Sequence, residues 1–394
     1  MVSAIDVGSK NIKGVVITKK PENEEMELLA YQNIPSSGLR KGMVINPEKT
    51  TAEIVQLKTA LERQSRTKIK EVFINIGGYH IAVKYGQGAV AISRADQKVS
   101  QEDIDRVVEE ARSLVPLTAN QEIIDEFPIE YLIDNETGVK NPLDLKGIKL
   151  EAKILAVCGF SPYIKNLVDA VLGADLEIGE MIPTPLACAE AVLNPQQKEV
   201  GVVLVDIGAE STGIAIFEEE ALVHLAILPV GSSHISNDIA IALQTDIDIA
   251  EKIKTQFGQY IFKNSSKKEK IEIVPGEVFT FALNKMAKAG RARISEIFDL
   301  IKKEIKKAQK TGNLPAGVVL VGGGANMPGI VDFAKKELGL PARTCIPRGI
   351  IGLEKDPSLT TLYGLVLRGI KFHEEEPAKD MFPVFKKIFK TFLP

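Results

Sequence analysis

The stretches Ala4-Ile-Asp-Val-Gly-Ser-Lys-Asn-Ile-Lys-Gly-Val-Val-Ile17 and Leu204-Val-Asp-Ile-Gly-Ala-Glu-Ser-Thr-Gly-Ile-Ala-Ile216 are written to one plan. An apolar strand ends in Asp, a Gly turn follows, a few polar residues intervene, and a β-branched strand returns, which predicts a hairpin in each copy. The aspartates stand 206 − 6 = 200 residues apart, too far for a solenoid repeat and suited to two related domains. A tight Gly turn presents successive backbone N–H groups to an anion without side-chain obstruction. Gly8, Ser9, Lys10 and Asn11 are the expected phosphate contacts of the first copy, and Gly208, Ala209, Glu210 and Ser211 those of the second. Asp6 and Asp206 end the preceding strands, where a carboxylate can hold hydrated Mg²⁺. Either copy alone reads first as a plain Asp-Gly turn. Two copies with matched flanks favour paired phosphate grips. Lys13 reads first as a solvated hairpin residue and only second as a ligand.

A third element, Gly317-Val-Val-Leu-Val-Gly-Gly-Gly-Ala-Asn-Met-Pro-Gly329, runs a buried β-branched strand into three glycines, with a helix beginning near Gly329. Gly322, Gly323 and Gly324, followed by Asn326, let the backbone approach a flat ligand such as adenine or ribose. A simple strand-to-helix turn is the competing reading. No Lys-Ser or Lys-Thr follows, so this is not a Walker A loop, and its spacing misses the dinucleotide fingerprint.

With 394 residues the chain exceeds the usual single-core limit, and its 45% apolar share suits substantial cores. A net charge of −3 gives no general reason to expect nucleic acid as a partner. Cys158, Cys188 and Cys345 lie far apart without metal-ligand spacing, a pattern suited to a reducing compartment. His80, His224, His234 and His373 are equally scattered. The N-terminus enters a strand directly, without a signal-peptide layout, and no apolar run reaches bilayer-spanning length. A cytoplasmic protein is expected, with surface attachment left open.

Strands are expected over residues 26–34 and 71–76, around a helix over about 48–64. Ser161-Pro162 opens another helix, with Ile164, Leu167, Val168, Val171 and Leu172 at helical spacing. This alternation indicates α/β architecture. Residues 79–157 break the rhythm. A strand pair over 81–92 precedes a charged helix over 100–114, where Ser100-Gln-Glu-Asp103 supplies an N-cap and an acidic first turn. The segment reads as an inserted subdomain. A second insertion, mostly helical and Lys-rich, spans about 246–310.

The tail is distinct. Glu374-Glu-Glu-Pro-Ala-Lys-Asp380 reads as a solvated linker. Beyond it, Phe382, Phe385, Ile388, Phe389, Phe392 and Leu393 share one helical face, with Lys386, Lys387 and Lys390 opposite. Such a helix suits the surface of an anionic bilayer; docking on the protein's own core or on a partner is the alternative. One copy binds marginally, and linking many copies multiplies avidity.

Taken in order, the two Asp-x-Gly turns and the Gly-rich turn resemble the actin, DnaK-type chaperone and sugar-kinase superfamily. That resemblance implies an actin/DnaK-like two-lobed α/β ATPase fold holding ATP and Mg²⁺ between two related domains. Asn141-Pro-Leu-Asp-Leu-Lys-Gly-Ile-Lys-Leu-Glu-Ala152 narrows it, because it resembles the signature of the subdomain peculiar to the FtsA family of bacterial cell-division proteins. Pro229-Val-Gly-Ser-Ser-His-Ile-Ser-Asn-Asp-Ile-Ala240, Ala250-Glu-Lys-Ile-Lys254, Ala292-Arg-Ile-Ser-Glu-Ile297 and the tail are similar to that family as well. The resemblance covers nearly the whole chain. It implies an actin-like subdomain 1A over 1–78, 159–197 and 345–372, with an FtsA-type subdomain 1C inserted at 79–158. Subdomain 2A takes 198–245 and 311–344, and 2B takes 246–310. An acidic linker (373–381) and an amphipathic membrane-targeting helix (382–394) follow.

By position, Gly8 to Asn11 and Gly208 to Ser211 correspond to phosphate contacts, and Gly322 to Gly324 to the adenosine side. Glu251 and Lys254 align with a Glu-x-x-Lys pair that brackets ribose and base; a solvated helical charge pair competes for those two. One departure matters. In Met181-Ile-Pro-Thr-Pro-Leu-Ala-Cys-Ala-Glu-Ala-Val192, Thr184 stands where the chaperones carry a glutamate that positions the attacking water. A hydroxyl is a far poorer base, and Glu190 lies about two helical turns on. Tight ATP binding with slow hydrolysis is expected.

The family further implies an adaptor that self-associates into filaments and tethers the FtsZ ring to anionic inner-membrane lipid, on the cytoplasmic face at the division site. The FtsZ C-terminal peptide would dock on 246–310, among other divisome partners. The loop Lys263-Asn-Ser-Ser-Lys-Lys-Glu-Lys270 suits an acidic peptide, although a solvated loop explains it as well. The alternatives are a PilM-like pilus assembly protein and a small-molecule kinase. The second needs a catalytic base for which the sequence offers no candidate.

Overall fold

The computed structural model describes residues 1–20, 24–263, 265–308 and 314–375. The amphipathic helix expected over 382–394 and all but the start of the acidic linker lie outside the described residues. No helix among the described residues is long and apolar enough to cross a membrane. The chain divides into two compact units. One comprises Met1–Ile76, Lys165–Val192 and the residues from Ile346 on; the other comprises Gly77–Ile164 and Leu193–Cys345.

The first unit is built on a six-stranded sheet ordered Glu177–Pro183, Glu71–Ile76, Val2–Val7, Asn11–Lys19, Met26–Pro35 and Ile350–Ile351. Val2–Val7 is buried throughout, as a central strand must be. Helix Pro47–Ser65 starts where its chemistry directs: Asn46 Oδ1 accepts from Lys49 N at 2.9 Å, and Pro47 occupies the first turn. Ile17, Phe73, Leu362 and Tyr363 form part of the core. Helices Thr184–Val192 and Thr360–Glu375 touch backbone to backbone, since a Cβ on Gly364 would fall 1.7 Å from Ala187 O.

The second unit carries a nine-stranded sheet ordered Ala342–Thr344, Val318–Val321, Val202–Ile207, Thr212–Glu218, Ala221–Leu228, Ala82–Ala91, Lys149–Phe160, Gln121–Ile133 and Glu136–Val139. Ile253, Phe298 and Leu320 lie in its main core, with helices Ser232–Leu243, Ile247–Phe257 and Leu283–Ala308 around them. The strands of the inserted segment continue this sheet through the pairing of Ala226 with Ala82.

Residues 81–92 do not form the expected strand pair. They make the single strand Ala82–Ala91, paired along its length with Lys149–Phe160. Gly86 and Gly88 are not turn residues here. A Cβ on either would stand 2.1 Å from Ala111 O or 2.3 Å from Ala111 N, so they let helix Gln101–Ser113 lie against the strand. That helix starts at the expected N-cap Ser100, which forms a reciprocal capping box with Asp103. The 246–310 region is mostly helical as expected, through Ile247–Phe257 and Leu283–Ala308, and also holds a hairpin of Lys268–Val274 with Glu277–Ala282.

Candidate functional site

The two Asp-x-Gly hairpins repeat residue for residue. Val7 faces Ile12 and Asp6 faces Lys13 in the first; Ile207 faces Thr212 and Asp206 faces Gly213 in the second. The 200-residue offset of the aspartates (206 − 6) is also that of their partners (213 − 13). Each leading strand also has a parallel neighbour on its other side, Glu71–Ile76 or Val318–Val321. Gly8 N donates to Asn11 O at 3.2 Å and Gly208 N to Ser211 O at 2.9 Å. Each glycine N–H thus closes its own turn, and what the glycine adds is clearance. A Cβ would stand 2.7 Å from Asn11 O in the first turn and 3.0 Å from Ser211 O in the second. Turn residues 8–11 and 208–211 all retain solvent access.

Side chains brace the first turn. Lys13 Nζ lies 3.3 Å from Asp6 Oδ2 and donates to Ser358 O at 2.7 Å. Lys13 is therefore largely buried rather than a solvated hairpin residue. Ser9 Oγ accepts from Gly42 N at 2.7 Å, and Lys10 O accepts from Ser36 N at 3.0 Å. Val7 N donates to Asn75 Oδ1 at 2.7 Å. Thr184 begins helix Thr184–Val192, accepting from Asn75 Nδ2 at 3.1 Å and donating to Ile76 O at 3.0 Å. Glu190 pairs with Lys371.

Backbone and glycines brace the second. Gly208 O and Ala209 O accept from Ser232 N (2.9 Å) and Ser233 N (2.8 Å), at the start of helix Ser232–Leu243. That approach needs Gly231, where a Cβ would meet both carbonyls at 2.7 Å. Gly322 sits at φ +83°, and a Cβ there would stand 2.3 Å from Asp206 Oδ1; one on Gly324 would stand 2.3 Å from Ile207 Cγ2. Gly323–Asn326 forms a short 3₁₀ turn whose exposed members are Gly323 and Asn326. Lys254 is buried, bonds Glu251 Oε2 at 2.7 Å and donates to Ser232 O at 3.0 Å, while Glu251 also accepts from Ser236 Oγ. These two residues are not a solvated pair. They join helix Ile247–Phe257 to the segment holding the second turn.

Of the residues expected from sequence, the second unit brings Asp206, 208–211, Gly322 to Gly324, Asn326, Glu251 and Lys254 into one neighbourhood. The first unit brings Asp6, 8–11 and Lys13 together with Thr184. Asn75, Ser232, Gly231 and Ser358 were missed. Asn75 carried a signal, as the polar break in the run Val72-Phe-Ile-Asn-Ile76. Ser358, far along the chain from Lys13, carried none.

Apart from the turns, a groove of about 740 Å³ opens in the second unit beside helix Leu283–Ala308, lined by Lys263, Ser265, Asn284, Lys288, Arg291 and Ser295 among others. Its named charges are cationic, and Arg291 Nε is steadied by Ile261 O at 3.0 Å.

The family model described as Cell division protein FtsA matches residues 203–364, and that described as the SHS2 domain inserted in FTSA matches residues 78–158. The cell division protein FtsA of Pseudomonas aeruginosa is 33% identical over 380 residues, which cover 94% of this chain and 89% of that protein. FtsA of Neisseria meningitidis is 32% identical, with 96% and 92% covered. Among solved structures, the PilM–PilN type IV pilus biogenesis complex matches with a TM-score of 0.66 at 18% identity, covering 94% of this chain and 98% of its counterpart. MreB5 of Spiroplasma citri bound to ADP matches at 0.51 and 14% identity, with 95% and 98% covered. Likeness at such identities concerns the fold alone, and the fold is the actin/DnaK-like α/β architecture expected from the paired turns. The sequence matches go further: this chain belongs to the FtsA family of cell-division proteins.

Proposed function

We propose that this chain binds Mg²⁺-ATP, polymerises, and tethers the FtsZ ring to the cytoplasmic face of the membrane at the division site. The observation that carries the nucleotide reading is the convergence of Asp206, the 208–211 turn, Gly322 to Gly324 and Lys254 on one another in the second unit. Those residues fit a nucleotide. The glycines let Asp206, the second turn and the start of helix Ser232–Leu243 pack closely, and the partly exposed turns offer backbone donors to phosphate oxygens. Gly8 to Asn11 and Gly208 to Ser211 grip the phosphates, Gly322 to Gly324 with Asn326 face the adenosine, and Glu251 and Lys254 steady ribose and base. Asp6 and Asp206 are the carboxylates that would hold Mg²⁺, which would supply neutralisation of phosphate charge.

Hydrolysis is slow in this reading. The Thr184 hydroxyl is tied to Asn75 and Ile76 and is no base, so ATP acts as a structural or switching ligand. The cationic groove suits the acidic C-terminal peptide of FtsZ. The face Phe382, Phe385, Ile388, Phe389, Phe392 and Leu393 inserts into anionic lipid beside Lys386, Lys387 and Lys390, and filament formation supplies the avidity that one foot lacks.

Isothermal titration with Mg²⁺-ATP tests the core of this. Saturable binding abolished by Asp206→Ala is expected; rapid turnover on adding a small acceptor would instead favour a kinase. Deleting residues 381–394 should release the protein from anionic liposomes. Unchanged liposome binding, with no capture of the FtsZ peptide, would favour a pilus-type adaptor on the same fold.

A further inference from the structure

Asn75 is buried near the end of the strand Glu71–Ile76. Backbone pairing with Val2–Val7 runs through Ala4–Phe73 and Ile5–Ile74. One step on, the side chain takes over, and Asn75 Oδ1 accepts the Val7 N–H at 2.7 Å. Its other end donates to Thr184 Oγ1 at 3.1 Å, and that hydroxyl donates to Ile76 O at 3.0 Å. The carboxamide has one workable orientation, because a backbone N–H requires oxygen opposite it. Val7 directly precedes Gly8, and Thr184 opens helix Thr184–Val192. This helix meets Thr360–Glu375 at Ala187 and Gly364. Ser358, just before the latter helix, accepts from Lys13, which also reaches Asp6. The contacts close a ring that starts and ends at the first turn.

We propose that Asn75 is a positioning residue that couples the first phosphate turn mechanically to the seating of helix Thr184–Val192. Its meaning for nucleotide binding rests on the phosphate reading of that turn. A buried amide satisfied at both ends has no slack. A shift of the Val7–Gly8 peptide on anion binding is passed to Thr184, and a shift of the helix re-aims the turn. Thr184, a poor water-orienting group, is thereby given another task.

Hydrogen–deuterium exchange on the full-length protein tests this, with and without Mg²⁺-ATP, in wild type, Asn75→Leu, Thr184→Val and Thr184→Ser. In wild type, ATP is expected to slow exchange in both 4–14 and 184–192. Without nucleotide, N75L loosens both segments and T184V loosens 4–14, while strand 26–35 holds its protection. T184S, which keeps the hydroxyl, behaves as wild type. ATP affinity falls about tenfold in N75L, the scale of one buried donor left unsatisfied. Protection by ATP at 4–14 with 184–192 unmoved, or still reaching 184–192 in N75L, overturns the coupling. Protection in neither segment refutes the nucleotide reading instead, and the nucleotide-free arm then decides. Loosening spread evenly over the first unit's sheet means a merely structural role and overturns the proposal.

Discussion

The two turns share one sequence plan and one register, yet they are held by different means. Around Asp6–Asn11 the work is done by side chains: Asn75 on Val7, Lys13 on Asp6 and Ser358, and Ser9 on Gly42. Around Asp206–Ser211 backbone brought close through Gly231, Gly322 and Gly324 takes a larger share, beside the Thr212 hydroxyl bonded to Val230 O. A duplicated hairpin fixes where an anion can be met, and each copy is then anchored to whatever its own unit supplies. The first turn should be sensitive to losing a polar group, and the second to gaining a methyl.

The sharpest break comes at Gly322→Ala. Positive φ and a 2.3 Å approach to Asp206 Oδ1 act together there. Strain of this kind in a buried position should cost about 3 kcal/mol or more. Denaturant unfolding should show that loss, and ATP binding should vanish in whatever fraction stays folded. A second pair tests what the copies have in common, since each turn region holds one lysine that reaches a carboxylate and a main-chain carbonyl. Lys254→Met and Lys13→Met each leave a carbonyl and a carboxylate short of a partner, at about 1–3 kcal/mol. Lys254, the more enclosed, should cost more in the same assay; an equal or reversed order would blur the contrast between the turns.

Much of this arrangement was legible in the sequence, for physical reasons. Hairpins and strand-to-helix turns are local, so the 200-residue repeat and the start of helix Ile330–Leu338 at Gly329 could be read directly. Helix Pro47–Ser65 lies within a residue of its expected bounds because Asn46 and Pro47 mark its start. What stayed hidden depends on partners far along the chain. Asn75 meets Thr184 across 109 positions and Lys13 meets Ser358 across 345, and no periodicity encodes such pairings. A related limit applies at Gly86 and Gly88: glycine marks either a turn or a close approach, and only the neighbouring helix Gln101–Ser113 shows it to be the second.

Smaller effects sharpen the comparison further. Gly8→Ala and Gly208→Ala place the same methyl in matched positions, 2.7 Å from Asn11 O against 3.0 Å from Ser211 O. The first should cost about 1–3 kcal/mol and the second less, by the usual penalty for overpacking. Thermal unfolding of the two variants side by side measures the difference; the reverse order would show that the first turn relaxes more easily than its side-chain bracing suggests.

Acid separates the units in another way, through their helix caps. Helix Pro47–Ser65 of the first unit is capped by Asn46, which does not titrate. Helix Gln101–Ser113 of the second depends on Asp103, which bonds Ser100, Ser93 and Arg106. Burial acts to raise the Asp103 pKa, but those hydrogen bonds outweigh it and hold the carboxyl well below the usual carboxylate range. A depressed folded pKa means the stabilisation is fully present above the unfolded value of about 4 and is lost as pH falls towards the folded one. Hydrogen exchange of the first helical turn, residues 101–104, should therefore quicken as pH drops below about 4, after correction for intrinsic rates. The matching turn at 47–50 should show no such step. Asp103→Asn should start from a looser helix at neutral pH and respond less to acid; an unchanged acid response in that variant would place the sensitivity elsewhere in the inserted segment.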